Sequence, residues 1–574
     1  MTLSRRAALQ SAFAVGGLAF APRALAQAAA NANARPGAAA EAIDAFAQAV
    51  MRANPEQPGL GVAVVEDGRI TLAKGYGTRI LGQREPVTDR TLFGIASNTK
   101  AMTGALMAML VEEGKLEWDA PVTRYLPRFA MSDPNVSRWM TVRDLLVHRS
   151  GLTLGAGDLM IWPQPTHTRA EIVAGIRHLP LNAATFRAGY AYDNVLYVVA
   201  GAVIEAVSGM SWERMMQTRI LQPLGMSDST AAPRREDEGR RAAPHARLGP
   251  PIRGLGPMQR LPFDSSFDAA APAGGVNASA RDIAKWLQVV CNAGQGPNGR
   301  LWSEAQNAEL WRPQTITGST PGPTAADPSQ PIINTYAAGW FVRDYRGERL
   351  LTHTGGLAGF ISVTMVLPGR RAGVMVMTNA EESPVLRAMR YGGADRLMGR
   401  SDFDWIASSR RVQEEADAKA LRDYAAVQAP AASGARPSLP LDAYTGVYRD
   451  PWYGTVTVSR RGQGLYLSMD RTPLLRGPLQ PFDGETFRTV FEDRAQEDAF
   501  VEFRLENGRV TGAAMRAVSP LADFSYDYQD LRLTRERTPG RPAPAPGPQR
   551  PVREGDGRTE NTRPAPRARS GARR

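Results

Sequence analysis

Strand-patterned apolar runs stand at both ends of a long helix-patterned stretch, and that order constrains the fold more than any other feature of the chain. The first, LGVAVVEDGRITLAKGYG at 60–77, has two short apolar runs with Glu66-Asp67-Gly68 as the turn between them, the pattern of a β-hairpin. The last, GERLLTHTGGLAGFISVTMVLPGRRAGVMVMTNA at 347–380, gives further strand-like runs separated by Gly and Pro-Gly turns. Residues 42–56 read as a first helix, and 98–300 is mostly helical in pattern, as in MTGALMAMLVEEG, TVRDLLVHRS and NVLYVVAGAVIEAVSG. Strands, helices and strands again imply one sheet assembled from both ends of a domain, with helices packed against it. Two stretches, 227–272 and 312–335, read as long irregular loops that serve either as lids and substrate walls or as surface insertions.

At 574 residues the chain exceeds one ordinary core, so two or three folded units are expected. After the domain at 42–400, residues 401–438 hold a charged helix (408–427) and a linker. The unit at 439–535 alternates apolar and polar residues over short spans, which predicts an antiparallel sheet curled into a small barrel. Its aromatic residues suit a packed core or a binding groove.

The ends differ from the body. Residues 1–26 combine Ser4-Arg5-Arg6, an apolar run and Ala24-Leu25-Ala26, which fits a small-x-small cleavage site, and resemble a twin-arginine export signal. A flexible lead at 27–41 follows. Residues 536–574 are dominated by Pro, Gly and Arg and predict a disordered basic tail. No later segment has the length and apolarity of a membrane span, so a soluble protein in the periplasm, or otherwise exported, is expected.

The net charge of +12 suggests a nucleic-acid partner until it is located. Arg537–Arg574 carries ten Arg and three acids, and the first 26 residues carry three Arg and no acid. The body is close to neutral with its basic residues interspersed with acids, which argues against a phosphate-tracking surface; the tail alone suits weak contact with an anionic envelope surface. The single cysteine, Cys291, rules out an intrachain disulfide and reads as a small buried apolar side chain. The five histidines form no zinc-binding spacing, no phosphate-binding or dinucleotide loop is present, and no G-x-S-x-G surrounds a serine; neither a cofactor nor a metal is expected.

The chemistry rests on three separated motifs. Ser97-Asn98-Thr99-Lys100 puts a hydroxyl and an amine about one helical turn apart as an apolar helix begins. A neutral Lys100 activates the serine, and unpaired N–H groups in the first turn face a developing oxyanion. Neutrality requires desolvation, since an unperturbed lysine is neutral only about once in 2,500 at pH 7. Alone, this spacing equally describes an exposed helix start. Tyr192-Asp193-Asn194 opens the next helix: Tyr192 suits proton relay and Asn194 offers an amide to the substrate or to Lys100, or else these two pack and cap. In His353-Thr354-Gly355-Gly356, glycines admit a substrate backbone, the Gly356 N–H suits a second oxyanion donor, and His353 suits substrate orientation or the proton network. A strand-edge turn explains the same residues.

Together these motifs resemble the serine β-lactamase and penicillin-binding-protein superfamily, nearest its class C β-lactamase-like branch of D-aminopeptidases, D-stereospecific peptidases and esterases. The resemblance covers about 42–398 and is reinforced by TVRDLLVHRSGL at 141–152, ILQPLGMSDST at 220–230 and PAGGVNASARDIAKW at 272–286. It implies an α+β fold, an antiparallel sheet flanked by helices with an all-helical region, and a site at their junction. It implies Ser97, Lys100 and Tyr192 as catalytic residues, with Asn194, His353, Thr354, Gly355 and Gly356 binding substrate. The substrate implied is a small ester, amide or short D-amino-acid peptide. The chain departs from class C lactamases at His353, where they carry lysine, which weakens recognition of a β-lactam carboxylate. The barrel-like unit resembles the lipocalin-like domain found behind such hydrolase domains. A DD-carboxypeptidase or weak β-lactamase, and a catalytically retired envelope ligand-binding protein, are the competing expectations.

Overall fold

The computed structural model describes residues 37–231, 239–262, 268–429 and 436–536. The expected export signal at 1–26, the lead through 36, the linker at 430–435 and the tail from 537 lie outside the described residues, as do 232–238 and 263–267 within the expected loop 227–272.

Helix α1 (Ala38–Ala53) buries Ile43, Phe46, Ala47 and Val50, the single face expected of that spacing. It leads into strands β1 (Gly59–Glu66) and β2 (Arg69–Gly77), joined by Asp67 and Gly68. Both turn residues have positive φ, 46° and 73°, as a two-residue hairpin of this twist demands. Six more strands complete the sheet: β3 (Thr315–Ser319), β4 (Ile333–Ala337), β5 (Trp340–Tyr345), β6 (Glu348–Leu357), β7 (Phe360–Leu367) and β8 (Ala372–Thr378). Their order is β2-β1-β8-β7-β6-β5-β4-β3, antiparallel throughout. β1 pairs with β8, Leu60 opposite Thr378, so the sheet joins the two ends of the domain.

Five more long helices follow among the described residues: α2 (Thr99–Glu112), α3 (Val195–Ser208), α4 (Ala280–Cys291), α5 (Ser383–Leu397) and α6 (Trp405–Gln428); α4 and α5 lie on the sheet, α6 packs on α5, and α2 packs on α3. β1 is covered on both faces. Its Leu60, Val62 and Val64 join the core with α1 and α5, whereas Ala63 and Val65 join the core with α2, α3 and α4. This two-residue alternation explains why β1 reads as a continuous apolar run. In α2, Thr99–Leu110 is buried on every side, which makes it the central helix of the layer. Cys291 is buried at the end of α4, and burial pushes its thiol pKa well up, so its contribution is packing.

Two expectations need correction. TVRDLLVHRS forms only a single 3₁₀ turn, Arg143–Leu146. The buried Asp144 carboxylate there bonds Thr141, Arg149 and Arg187, and His148 follows in a left-handed conformation (φ 55°), which stops helix growth. The stretch 312–335 contains strand β3 and the start of β4. β3 is the edge strand and β4 its neighbour, with Ile316, Ile332 and Ile333 exposed, so no buried-face alternation marks them.

The C-terminal strands β9 (Gly446–Asp450), β10 (Gly454–Arg461), β11 (Gly464–Met469), β12 (Arg476–Asp483), β13 (Thr486–Thr489), β14 (Ala499–Glu506), β15 (Arg509–Ala517) and β16 (Leu533–Arg535) close into an antiparallel barrel. Tyr444, Tyr448, Phe487 and Phe503 pack together and are buried, so these aromatics form a core and not a groove. The described residues up to Arg535 form one compact unit, and the apolar core around α2 and α3 continues into the barrel.

Candidate active site

Ser97 lies in a 3₁₀ turn, Ala96–Asn98, that runs directly into α2. The residue before it, Ala96, has φ 49°, a conformation that L-residues rarely adopt and that persists only where packing enforces it. The packing is visible. Asn98 donates to Ser362 Oγ (2.8 Å) and accepts from Thr364 Oγ1 (2.7 Å), and Ser362 in turn donates to the Ile95 carbonyl (2.8 Å). Strand β7 thereby clamps the residues on both sides of Ser97. From β6, Gly355 presses on the same turn: a Cβ there would meet the Ile95 oxygen at 2.4 Å and the Ala96 Cβ at 3.0 Å. Gly339 (φ 80°), in the turn between β4 and β5, plays the matching part at Lys100 and Ala101, where a Cβ would lie 2.6 Å from the Ala101 nitrogen.

Lys100 is fully buried. Its Nζ lies 3.0 Å from Ser97 Oγ, 2.7 Å from Asn194 Oδ1 and 2.9 Å from the Ala273 carbonyl, and it sits 4.9 Å from the centre of the Tyr192 ring. Burial lowers its pKa to about 7, against a smaller opposing pull from Asp158. Ala273 belongs to the short helix Ala271–Gly274, so the PAGG stretch singled out in the sequence delivers one of the amine's three contacts.

Tyr192 is half-buried over this amine. Burial pushes its phenol pKa well up, with an interaction with Ser97 acting in the opposite direction. Asn194 starts α3 without capping it by its side chain. Its oxygen faces Lys100 and its amide donates to Asp158 Oδ2 at 2.8 Å. Asp158 is completely buried, and burial raises its pKa to about 7.

His353 occupies a different place from the one expected of a substrate-binding group. It is 2% exposed, with Nδ1 2.6 Å from the Thr354 carbonyl and Nε2 2.8 Å from the Tyr336 hydroxyl. A carbonyl only accepts, so Nδ1 carries the proton and Nε2 accepts from Tyr336. Burial holds the imidazole pKa at about 3, and the ring is neutral. It lies behind Tyr192 (ring centres 6.2 Å apart) and is a packed, hydrogen-bonded group of the site wall. Thr354 and Gly356 are exposed, and a Cβ on Gly356 would meet nothing within 4 Å. The β6–β7 hairpin closes on Leu357 opposite Phe360, so alternation of antiparallel rungs turns the Gly356 N–H away from β7. The ladder to β5 ends at Thr352, which leaves that edge of β6 open at Gly356.

Four contributors were not assigned to the site from the sequence. Asp158 lies in a Gly-rich turn. His148, buried in the segment read as helix, stacks at 4.1 Å on Tyr192 and accepts from the Asp193 N–H. Tyr336 comes from β4, directly after the stretch read as loop. The fourth is a segment of the barrel, 519–530. Its Ser525 donates to Asp158 (2.8 Å), its Asp527 accepts from the Gly157 and Leu159 N–H groups (2.6 and 2.9 Å), and its Asp530 accepts from Thr153 (2.8 Å).

A large antiparallel sheet with helices on both faces, carrying a buried lysine against a serine at the head of its central helix, defines the class of serine hydrolases with the β-lactamase fold. The beta-lactamase family profile matches residues 43–399, and the chain belongs to that family. Residues 430–535 match a domain of unknown function (DUF3471). Unguisins hydrolase ungD of Aspergillus violaceofuscus is 28% identical over 434 residues, covering 70% of this chain and 73% of that protein. Protein flp of Staphylococcus aureus is 25% identical over 342 residues, covering 58% of this chain and 62% of that protein. The fold is shared with the octameric penicillin-binding protein homologue from Pyrococcus abyssi, at a TM-score of 0.54 and 24% identity over 86% of this chain and 98% of that one.

Proposed function

We propose that Ser97 is the nucleophile of a serine hydrolase that forms an acyl-enzyme and cleaves a small ester, an amide or a D-amino-acid-containing peptide. The observation that carries this reading is the Lys100 amine, buried among neutral acceptors, 3.0 Å from Ser97 Oγ and with its pKa brought down to about 7. A neutral amine has two N–H groups and one lone pair. Donation to Asn194 Oδ1 and the Ala273 carbonyl leaves the lone pair for the Ser97 hydroxyl proton. Ser97 Oγ attacks the carbonyl carbon while Lys100 takes that proton. Tyr192, held neutral, relays a proton to the leaving group, and water then cleaves the ester on Ser97. The N–H groups of Ser97 and Gly356 receive the oxyanion. Ser97→Ala abolishes labelling by a fluorophosphonate, read by mass spectrometry; equal labelling of the variant overturns the assignment.

The charge state sets the pH dependence. Burial disfavours the ammonium, so the neutral fraction of Lys100 grows as pH rises through about 7. Acylation, followed as the burst of p-nitrophenol from an activated ester, rises about tenfold per unit below pH 6 and levels above pH 8. Asp158 titrates in the same range, so the limb belongs to the Lys100–Asn194–Asp158 network. Both imidazoles near Tyr192 are held neutral by burial and contribute no limb there. A rate independent of pH between 5 and 9 contradicts this base.

Neutral His353 disfavours the competing reading as a DD-carboxypeptidase or weak β-lactamase, because no permanent positive charge stands at that position for a ring carboxylate. The assembled Ser97–Lys100 pair disfavours a retired scaffold.

A further inference from the structure

The barrel reaches the catalytic centre through the segment 519–530, and that segment brings an aromatic ring beside Tyr192. Phe524 is 38% exposed, and its ring centre lies 5.8 Å from that of Tyr192, edge to face. Its main chain and ring also lie against Gly155, where a Cβ would approach the Phe524 carbonyl at 2.6 Å and the ring at 2.7 Å. Gly155 donates its N–H to the Tyr192 carbonyl (2.9 Å), so Phe524 and Tyr192 are held in register through one residue. Leu154, next in the chain to Gly155, is 50% exposed and adds apolar surface there. The three hydrogen-bonded tethers from Ser525, Asp527 and Asp530 fix the segment on 153–159, so the ring is presented on a rigid support. The phenyl thus packs on Tyr192 and Gly155 and presents its remaining surface to solvent beside the residue proposed to relay protons. Polar side chains would serve equally well at a mere docking surface.

We propose that Phe524 makes the barrel part of the substrate cleft, as a specificity-determining wall that receives a bulky apolar or aromatic group of the substrate beside Tyr192. This rests on the reading of Ser97 as the nucleophile. Ser525 is a positioning residue in the same scheme: it holds Asp158, which holds Asn194, which holds the Lys100 amine.

The test uses the full-length protein and two matched pairs of esters. On the acyl side these are p-nitrophenyl acetate and p-nitrophenyl phenylacetate; on the leaving-group side, the methyl and benzyl esters of N-acetyl-D-alanine. Phe524→Ala lowers kcat/KM for the aromatic member of one pair about tenfold, mainly through KM, and leaves its small partner within about twofold. Phe524→Leu, which keeps an apolar side chain, recovers most of the loss. Ser525→Ala lowers kcat for both members of a pair alike, and Ser525→Thr restores it. Thermal melting and fluorophosphonate labelling of Ser97 establish that each variant is folded. Equal changes for small and aromatic esters in both pairs, with Ser97 still labelled, overturn the role of Phe524 while leaving the serine-hydrolase reading intact. Absence of turnover and of Ser97 labelling in the wild-type protein removes that reading, and the wall with it.

Discussion

Lys100→Met lowers the rate of Ser97 acylation by about 10³-fold, within the range measured for removing a positioned general base. Methionine is chosen because it fills the buried volume without bringing a charge into it. The Asn194 oxygen and the Ala273 carbonyl lose their donor, at a stability cost of about 1–3 kcal/mol if no water replaces it. Lys100→Arg fails as well. A guanidinium has no lone pair to accept the serine proton and stays charged at any usable pH, and its greater bulk has no room in a fully buried site. Burst kinetics with an activated ester, or the fraction of Ser97 labelled against time, gives the rate constants. Labelling of the methionine variant within tenfold of wild type would falsify the assignment of Lys100 as base.

Gly355→Ala is the second large effect, and it acts on the nucleophile from behind. The added Cβ falls 2.4 Å from the Ile95 carbonyl, 2.7 Å from Ser362 Oγ and 3.0 Å from the Ala96 Cβ. None of these is the free end of a flexible side chain. Ser362 is already engaged with both Ile95 and Asn98, and Ala96 is in its left-handed conformation. Relief therefore comes from shifting the turn that carries Ser97. A displacement of about 1 Å in a catalytic group costs on the order of 10²-fold in rate, and overpacking costs about 1–3 kcal/mol in stability. The variant keeps its circular dichroism, melts a few degrees lower and loses about 10²-fold in kcat/KM. Gly356→Ala is the internal control. Its Cβ enters open space and its N–H is retained, so stability stays at the wild-type value. Equal activity of Gly355→Ala and the wild-type protein contradicts this account of how Ser97 is placed.

The sequence was most informative where chemistry and local structure coincide. The serine–lysine spacing belongs to one helix start, and the tyrosine and asparagine to another, so neighbouring residues carry each signal. The glycines after His353 were read as room for a substrate backbone; Gly355 instead makes room for the turn that carries Ser97, and Gly356 faces open space. Asp158, Tyr336 and Ser525 were not legible. Each is a common residue in a turn, a strand one place in from the sheet edge or a distant domain, and only the tertiary fold brings it to the site. His353 shows the opposite failure. Its position in the motif was plain, but its burial between Tyr336, Phe341 and Tyr192 depends on three rings from separate segments, and that burial sets its charge. β3 and the start of β4, in 312–335, were hidden because a strand with an exposed outer face has little apolar rhythm to display.

The junction of β1 with β8 has a consequence for biosynthesis. Leu60 waits for Thr378, over 300 positions downstream, before the middle of the sheet can form. At ribosomal speeds of about 5–20 residues per second, the early hairpin spends roughly 15–65 s with its outer edge bare. Contacts this distant along the chain also make for slow closure. The nascent polypeptide is thus at its most vulnerable to strand-mediated aggregation before its last third is translated, and a chaperone that shields that hairpin should raise the yield of active protein more than one acting on the finished chain.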